Sequence, residues 1–261
     1  MAERTLVEAV NDALRTEMER DGDVLVLGED VGRAGGVFQE AAGFRDRFGA
    51  DSCVDTPLAE AGILGTAVGL CMAGWRPVCE MQYESFSYPC LDQLICHVGR
   101  YRWRTNGAME FPLTVRMPTG GGVRAPELHE DSPEAYYVHT PGIKVAIPAT
   151  PGDAKGLLAA ADELEASAEV VDVRTLKPLD EETILASVGK TGRAVIVQEA
   201  PRVAGFGAEI AAVIAEKAIL DLRAPVLRVT GFDVPYPYWQ LEDAYLPSVA
   251  RVAAARTLLE Y

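Results

Sequence analysis

The sequence predicts an α/β protein of two doubly wound domains, each built on a mainly parallel sheet. Two observations carry this. Short apolar runs of strand length alternate with longer segments of helical period, the signature of βα units. That alternation runs through the first 150 residues and then begins again, as if a second domain repeated the plan. At 261 residues the chain can bury two modest cores, and the division is placed at 1–158 and 159–261.

The elements follow in order. Thr5 and Glu8 have capping-box spacing, and Leu6, Val7, Val10, Leu14 and Met18 mark one face of a helix that Gly22 ends. Val24–Leu27 (VLVL) is a short buried strand followed by the loop GEDVGRAGGVF. Thr56 and Pro57 read as N-cap and first residue of a helix running to Gly74. That helix is small or apolar all round, so it should be buried. Strands are expected at Arg76–Met81 and Leu113–Met117, with a helix over Leu91–Arg104 between them. After the glycine loop TGGGVR come a helix near Pro133–Tyr137 and a strand at Lys144–Ile147. The second domain should contain strands at Glu169–Val173, Ala194–Gln198 and Pro225–Val229, with helices over Glu182–Val188 and Gly207–Ala218. Between 150 and 168 a helical stretch runs from one domain into the other without the usual polar linker.

A net charge of −15 argues against nucleic acid or an anionic membrane as a partner. No signal-like or membrane-spanning run is present, and five cysteines without a CxxC pair read as reduced, mostly buried thiols, which suggests a cytoplasmic setting. His97, His129 and His139 lack the spacing of a zinc site.

Glu60 is the odd residue in DTPLAEAGILG. A carboxylate in the first turn of a helix is favoured by the helix dipole, which is one reading. The other begins from its apolar company. A buried, unpaired carboxylate either protonates or waits for a proton-bearing ligand, as an acid–base residue does. His129 follows the glycine loop among Glu127, Glu130 and Asp131, and on its own reads as a solvated loop residue. The glycines at 120–122 match neither GxGxxG nor a P-loop and suit a turn after a strand.

Taken in order, VLGEDVG, GGVF, DTPLAEAGI, MAGWRPVCEMQ, LDQ, YRWR, VRMPTGGGVR, HEDSPEAYYVHTPGIKV, VDVRTLKPLD, KTGRAVIVQEAP, GFGAEIAA and RVTGFDVPYPY resemble the β subunit of the 2-oxo acid dehydrogenase E1 component, from Arg4 to Tyr261. The resemblance implies a transketolase-like pyrimidine-binding domain followed by a transketolase C-terminal domain. It implies thiamine diphosphate as cofactor, oxidative decarboxylation of a 2-oxo acid, and acyl transfer to the lipoyl group of E2. By the TPL(S/A)E motif, Glu60 would hydrogen-bond N1′ of the aminopyrimidine and so favour loss of the thiazolium C2 proton. Phe86 would stack on that ring and Leu58 would touch it. His129 would lie near the thiazolium end, although its lead-in ELHEDSPE departs from the common HHHSQSPE. The only asparagines are Asn11 and Asn106 and neither follows a GDG, so the Mg²⁺–diphosphate half would come from an α subunit in an α2β2 heterotetramer. HEDSPEAYYVHTPGIKV and LDLRAPVLRV favour a branched-chain 2-oxo acid over pyruvate.

The resemblance also has a gap. After DAKGLL, near 158–163, several tens of residues usual in the family are missing, and each domain is expected to lack a strand. Pro112 and Thr114 would remain as half of a monovalent-cation (K⁺) site. The chain is then a functional shortened subunit, a non-catalytic one with an assembly or E2-docking role, or a sequence missing a real segment. Glu242 and Asp243 are candidates for docking the basic binding domain of E2 by charge.

Overall fold

The computed structural model describes residues 5–148 and 169–260. The helical stretch expected across 150–168, the 158/159 boundary and the junction near 158–163 lie outside them. The chain forms two compact units, Met1–Thr119 with Thr140–Gly142, and Gly120–His139 with Ile143–Tyr261. No described helix is long and apolar enough to cross a membrane.

The first unit opens with α1 (Leu6–Arg20), whose capping box forms as expected: Thr5 accepts from the Glu8 amide and Glu8 accepts from that of Thr5. Met18 is buried and Leu14 packs on the core, whereas Leu6 is exposed. Four parallel strands follow: β1 (Val24–Gly28), β2 (Cys53–Asp55), β3 (Arg76–Glu80) and β4 (Thr114–Arg116), ordered β2-β1-β3-β4. β2 and the short helix α2 (Phe44–Phe48) were not expected from the sequence. Val26, Val31, Ala41, Phe44, Cys53 and Val78 close the core around Met18. Among the described residues no strand pairs with the outer edge of β4.

Three expectations need correction here. Helix α3 is Glu60–Met72, with Ala59 as an N-cap that makes no side-chain bond. Thr56 does not cap it: the helix starts four residues later, the Thr56 hydroxyl makes no hydrogen bond, and its amide bonds to Gly28 O at 3.0 Å, extending the β1–β2 ladder. Nor is α3 buried all round. Ile63, Leu64, Ala67, Val68 and Cys71 face the core, while Ala61, Gly62, Thr66, Gly69 and Met72 are exposed. A 3₁₀ turn (Glu84–Cys90) follows β3, and the helix expected over Leu91–Arg104 is broken into a π turn (Gln93–Val98) and the short α4 (Tyr101–Arg104). The interruption falls at Gly99, where residue 141 passes so closely that a Cβ would meet Pro141 O at 2.6 Å.

In the second unit, α5 (Glu134–His139) is followed by β5 (Val145–Ala146), which pairs antiparallel with β6 (Thr175–Lys177) rather than joining a parallel sheet. Residues 169–173, expected as a strand, join no ladder. Helix α6 (Glu181–Thr191) is capped by Asp180, and β7 (Val195–Val197) and β8 (Leu227–Val229) pair in parallel. Between them runs α7 (Gly207–Lys217); α8 (Glu242–Tyr245), α9 (Val249–Ala253) and a final 3₁₀ turn complete the unit. Val229 and Val252 form a small core with Val195, Val197, Leu227 and Val249.

Candidate functional site

Strand order β2-β1-β3-β4 puts a topological switch point between β1 and β3, where successive connections leave the sheet in opposite directions; open α/β sheets bind ligands beyond the strands' carboxyl ends at such a point. The last register row across the sheet is Asp55, Gly28, Glu80, Arg116. A side chain at Gly28 would collide with β3, so only glycine lets the strands meet there. Asp55 accepts from the Gly32 amide at 2.6 Å and pairs with Arg45 at 2.8 Å, holding the start of the loop after β1.

Above this row carboxylates collect. Glu29 directly follows β1, Glu60 is the first residue of α3, and Glu84 opens the 3₁₀ turn after β3. Glu29 is buried, with Oε1 unpaired. Burial pushes its carboxyl upward, the charges of Glu60 and Asp30 add to this, and the Ala59 backbone hydrogen bond opposes it. Burial raises Glu84 to about 7, against a hydrogen bond to Thr119. Burial also raises Glu80 to about 7, against the bidentate Arg116 guanidinium, whose Nε lies 2.6 Å from Oε2. Carboxylates of raised proton affinity that follow the strands at a switch point, with Glu29 and Glu60 close enough to feel each other's charge, are candidates for acid–base work.

Of the residues singled out in the sequence, Leu58, Glu60 and Phe86 all belong to this unit. Glu60 is half-buried, and its charge is felt by Glu29 and by the Cys90 thiol. Leu58 is 79% exposed in the turn before α3. Phe86 is half-buried and meets the Tyr83 ring edge-on at 5.4 Å. Pro112 and Thr114 are exposed, Thr114 on the edge strand β4. Glu29 and Glu84 went unremarked in the sequence; the signal available for Glu29 was an acidic residue immediately after an apolar strand, and Glu84, four residues beyond β3, offered none.

His129 belongs to the second unit. It is half-buried, with Nδ1 3.5 Å from Glu127 O, in a turn where Leu128 takes positive φ. Glu130 beside it is buried, accepts weakly from the Ala125 amide at 3.4 Å, and faces the Tyr236 hydroxyl. Glycines 120–122 form the turn expected of them, with positive φ at Gly120 and Gly122. Glu242, expected on the surface as a docking residue, is instead buried, with Oε1 accepting the Gly122 amide. Charge complementarity is no guide there, because α8 turns that side chain inward. Asp243 is 82% exposed and lies 3.3 Å from Arg124. Four of the five cysteines are buried and all are free thiols.

Residues 2–179 match the family described as transketolase, pyrimidine binding domain, and residues 135–252 match transketolase, C-terminal domain. The two matches share residues 135–179. The β subunit of the pyruvate dehydrogenase E1 component from Bacillus subtilis (strain 168) is 43% identical over 325 positions, spanning 100% of both chains. Its counterpart from Staphylococcus epidermidis is 42% identical with the same coverage. The 3-methyl-2-oxobutanoate dehydrogenase subunit β of Mycobacterium tuberculosis is 42% identical over 311 positions, covering 95% of this chain and 89% of its own. A solved structure titled split gene transketolase, inactive β4 tetramer, shares the fold at TM-score 0.73 and 18% identity, with 96% of each chain covered. The chain belongs to the transketolase-like family of 2-oxo acid dehydrogenase E1 β subunits. An alignment of 325 positions spanning the whole of a 261-residue chain sets several tens of the relative's residues opposite gaps.

Proposed function

We propose that this chain supplies the pyrimidine half of a thiamine-diphosphate site and, with an α subunit, carries out oxidative decarboxylation of a 2-oxo acid with acyl transfer to the lipoyl group of E2. The observation that carries this reading is the position of Glu60: first residue of α3, at the switch point, beside the buried and incompletely bonded Glu29. The residues fit an aminopyrimidine. Glu60 offers a carboxylate to a ring nitrogen, Phe86 offers a ring face, and the exposed Leu58 offers an apolar edge that a ligand would cover.

Thiamine diphosphate, when bound, supplies the nucleophilic carbon and electron sink for decarboxylation. This chain's own part is proton control. Glu60 would share a proton with the ring nitrogen through a carboxyl oxygen, and Glu29, with its raised proton affinity, resists a further negative charge beside it. His129, in the second unit, would position or protonate intermediates or assist lipoyl acylation. Mg²⁺ and the diphosphate would be held by the α subunit, since no GDG…N pattern occurs here. Pro112 and Thr114 would contribute to a K⁺ site. For E2 docking, Asp243 stays a candidate and Glu242 is withdrawn.

A branched-chain acid is the first choice of substrate and pyruvate the second; relatives named for each stand at nearly the same identity. The test is thiamine-diphosphate/Mg²⁺ titration of the chain co-expressed with its α partner, followed by decarboxylation assays with both acids. Binding with turnover supports the reading. A soluble complex that binds no cofactor overturns it.

A further inference from the structure

A second set of buried charges lies on the sheet's last row, away from Glu60. Arg116 holds Glu80 with two bonds and reaches Glu40 Oε2 at 3.9 Å, and the Glu40 side chain is only 2% exposed. Glu40 belongs to the loop between β1 and α2 and is built into it from several directions. Its Oε2 accepts the Phe38 amide at 3.1 Å, and its backbone carbonyl accepts from Asn11 of α1 at 3.0 Å. Its carboxylate also occupies the space a Cβ at Gly36 would need, and Gly36 has φ +86°. Phe38, fixed in this way, meets the Tyr83 ring edge-on at 5.7 Å, and Tyr83 in turn meets Phe86 at 5.4 Å.

The geometry points to Glu40 as a positioning residue for the Phe86 ring, acting through the Phe38 backbone and the Phe38–Tyr83–Phe86 row of edge-on contacts. This rests on the reading of Phe86 as the face on which the cofactor's pyrimidine stacks. Glu40 touches no ligand. It fixes one end of an aromatic row whose other end is the Phe86 ring, while Arg116 links it to the sheet. Fixing one end of the row to a buried ion cluster limits how far its rings can shift, and ligand stacking needs a fixed face.

The experiment uses the complete α/β complex with Glu40→Ala, Glu40→Gln and Phe38→Leu. Thiamine diphosphate with Mg²⁺ is titrated calorimetrically, and 3-fluorotyrosine at Tyr83 is followed by ¹⁹F NMR in the cofactor-free complex. Glu40→Ala and Phe38→Leu should weaken binding about tenfold, while Glu40→Gln, which keeps an acceptor for the Phe38 amide, should stay within about threefold. The Tyr83 fluorine signal should move in Glu40→Ala and return in Glu40→Gln. Wild-type affinity in assembled complexes of Glu40→Ala and Phe38→Leu overturns the proposal, as does an unmoved fluorine signal. Should Glu40→Ala fail to assemble, Phe38→Leu decides. A wild-type complex that binds no cofactor defeats the reading of the site, and the fluorine signal then judges the positioning relay alone.

Discussion

Gly122 donates its backbone N–H to Oε1 of Glu242, a side chain only 1% exposed. Its neighbour Gly121 donates to Glu199 Oε2 at 2.8 Å. Two successive amides of the glycine loop are therefore held by two carboxylates of the same unit, one following β7 and one opening α8. Consecutive N–H groups with positive-φ glycines among them make an anion-accepting concavity, and here the chain fills it with its own side chains.

Removing the Glu242 carboxylate takes a charged acceptor from the Gly122 amide and leaves unfilled the buried space that side chain occupies. Glu242→Ala should destabilise the second unit by about 1–3 kcal/mol, and Glu242→Gln, which keeps an acceptor, by less than about 1 kcal/mol. Thermal denaturation measures the difference, and amide exchange at Gly122 locates it. Unchanged protection of that amide in the alanine variant would refute the role.

Gly121 is constrained by space. A Cβ there would collide with the Tyr236 hydroxyl and lie 2.8 Å from Leu246 Cδ2. Gly121→Ala should therefore cost about 1–3 kcal/mol by overpacking. Gly22, where a Cβ meets nothing within 4 Å, serves as the control and should tolerate alanine. Equal melting temperatures for the two variants would count against the close approach.

Glu84 gives the first unit a pH dependence. Its folded pKa of about 7 lies above its ordinary 4.5, so its contribution is fully present below 4.5 and is lost as pH rises through 7. Glu84→Gln should flatten the stability profile over that window and leave the protein more stable at pH 8, by on the order of 3 kcal/mol at most. Parallel denaturation curves for wild type and variant from pH 4.5 to 8 would show that Glu84 is not the source.

Thr5 and Glu8 act as one device, each accepting the other's amide. Thr5→Ala and Glu8→Ala should each cost about 0.5–1 kcal/mol, and the double variant clearly less than their sum. Strict additivity in a denaturant double-mutant cycle would mean that the box does not couple them.

The capping box was legible because it is local: two side chains three residues apart decide it. The strands VLVL and RPVCE were legible for a related reason, since their apolar runs are buried on both faces. What failed depended on distant partners. Thr56 has the chemistry of an N-cap, yet the ladder with Gly28 claims its backbone. The helix over Leu91–Arg104 has suitable composition, but Gly99 must let residues 140–142 pass against it. Glu242 looked like surface charge because composition says nothing about which way a four-residue helix turns its first side chain. In the site, Glu60 stood out by its apolar neighbours, whereas Glu29 and Glu84 become visible only once the sheet order brings their strands side by side.

The sharpest test falls on Glu60. It is the first residue of a helix whose N-cap makes no side-chain bond, and it sits beside a Glu29 whose own ionisation is resisted by burial. Two acids so placed share a surplus of negative charge, and a nitrogen base entering the site would find a proton there to hold. Glu60→Gln keeps the size and removes the acid. The α/β complex should still assemble, because Glu60 is not part of the buried core of α3. Exchange of the cofactor's C2 proton for deuterium, followed by ¹H NMR after acid quench, should slow by at least about a hundredfold. Thiamine-diphosphate affinity should change far less, since stacking and the diphosphate contacts remain. Near-normal exchange in an assembled Glu60→Gln complex would remove Glu60 from the chemistry and leave it as a charge placed only to suit the helix dipole.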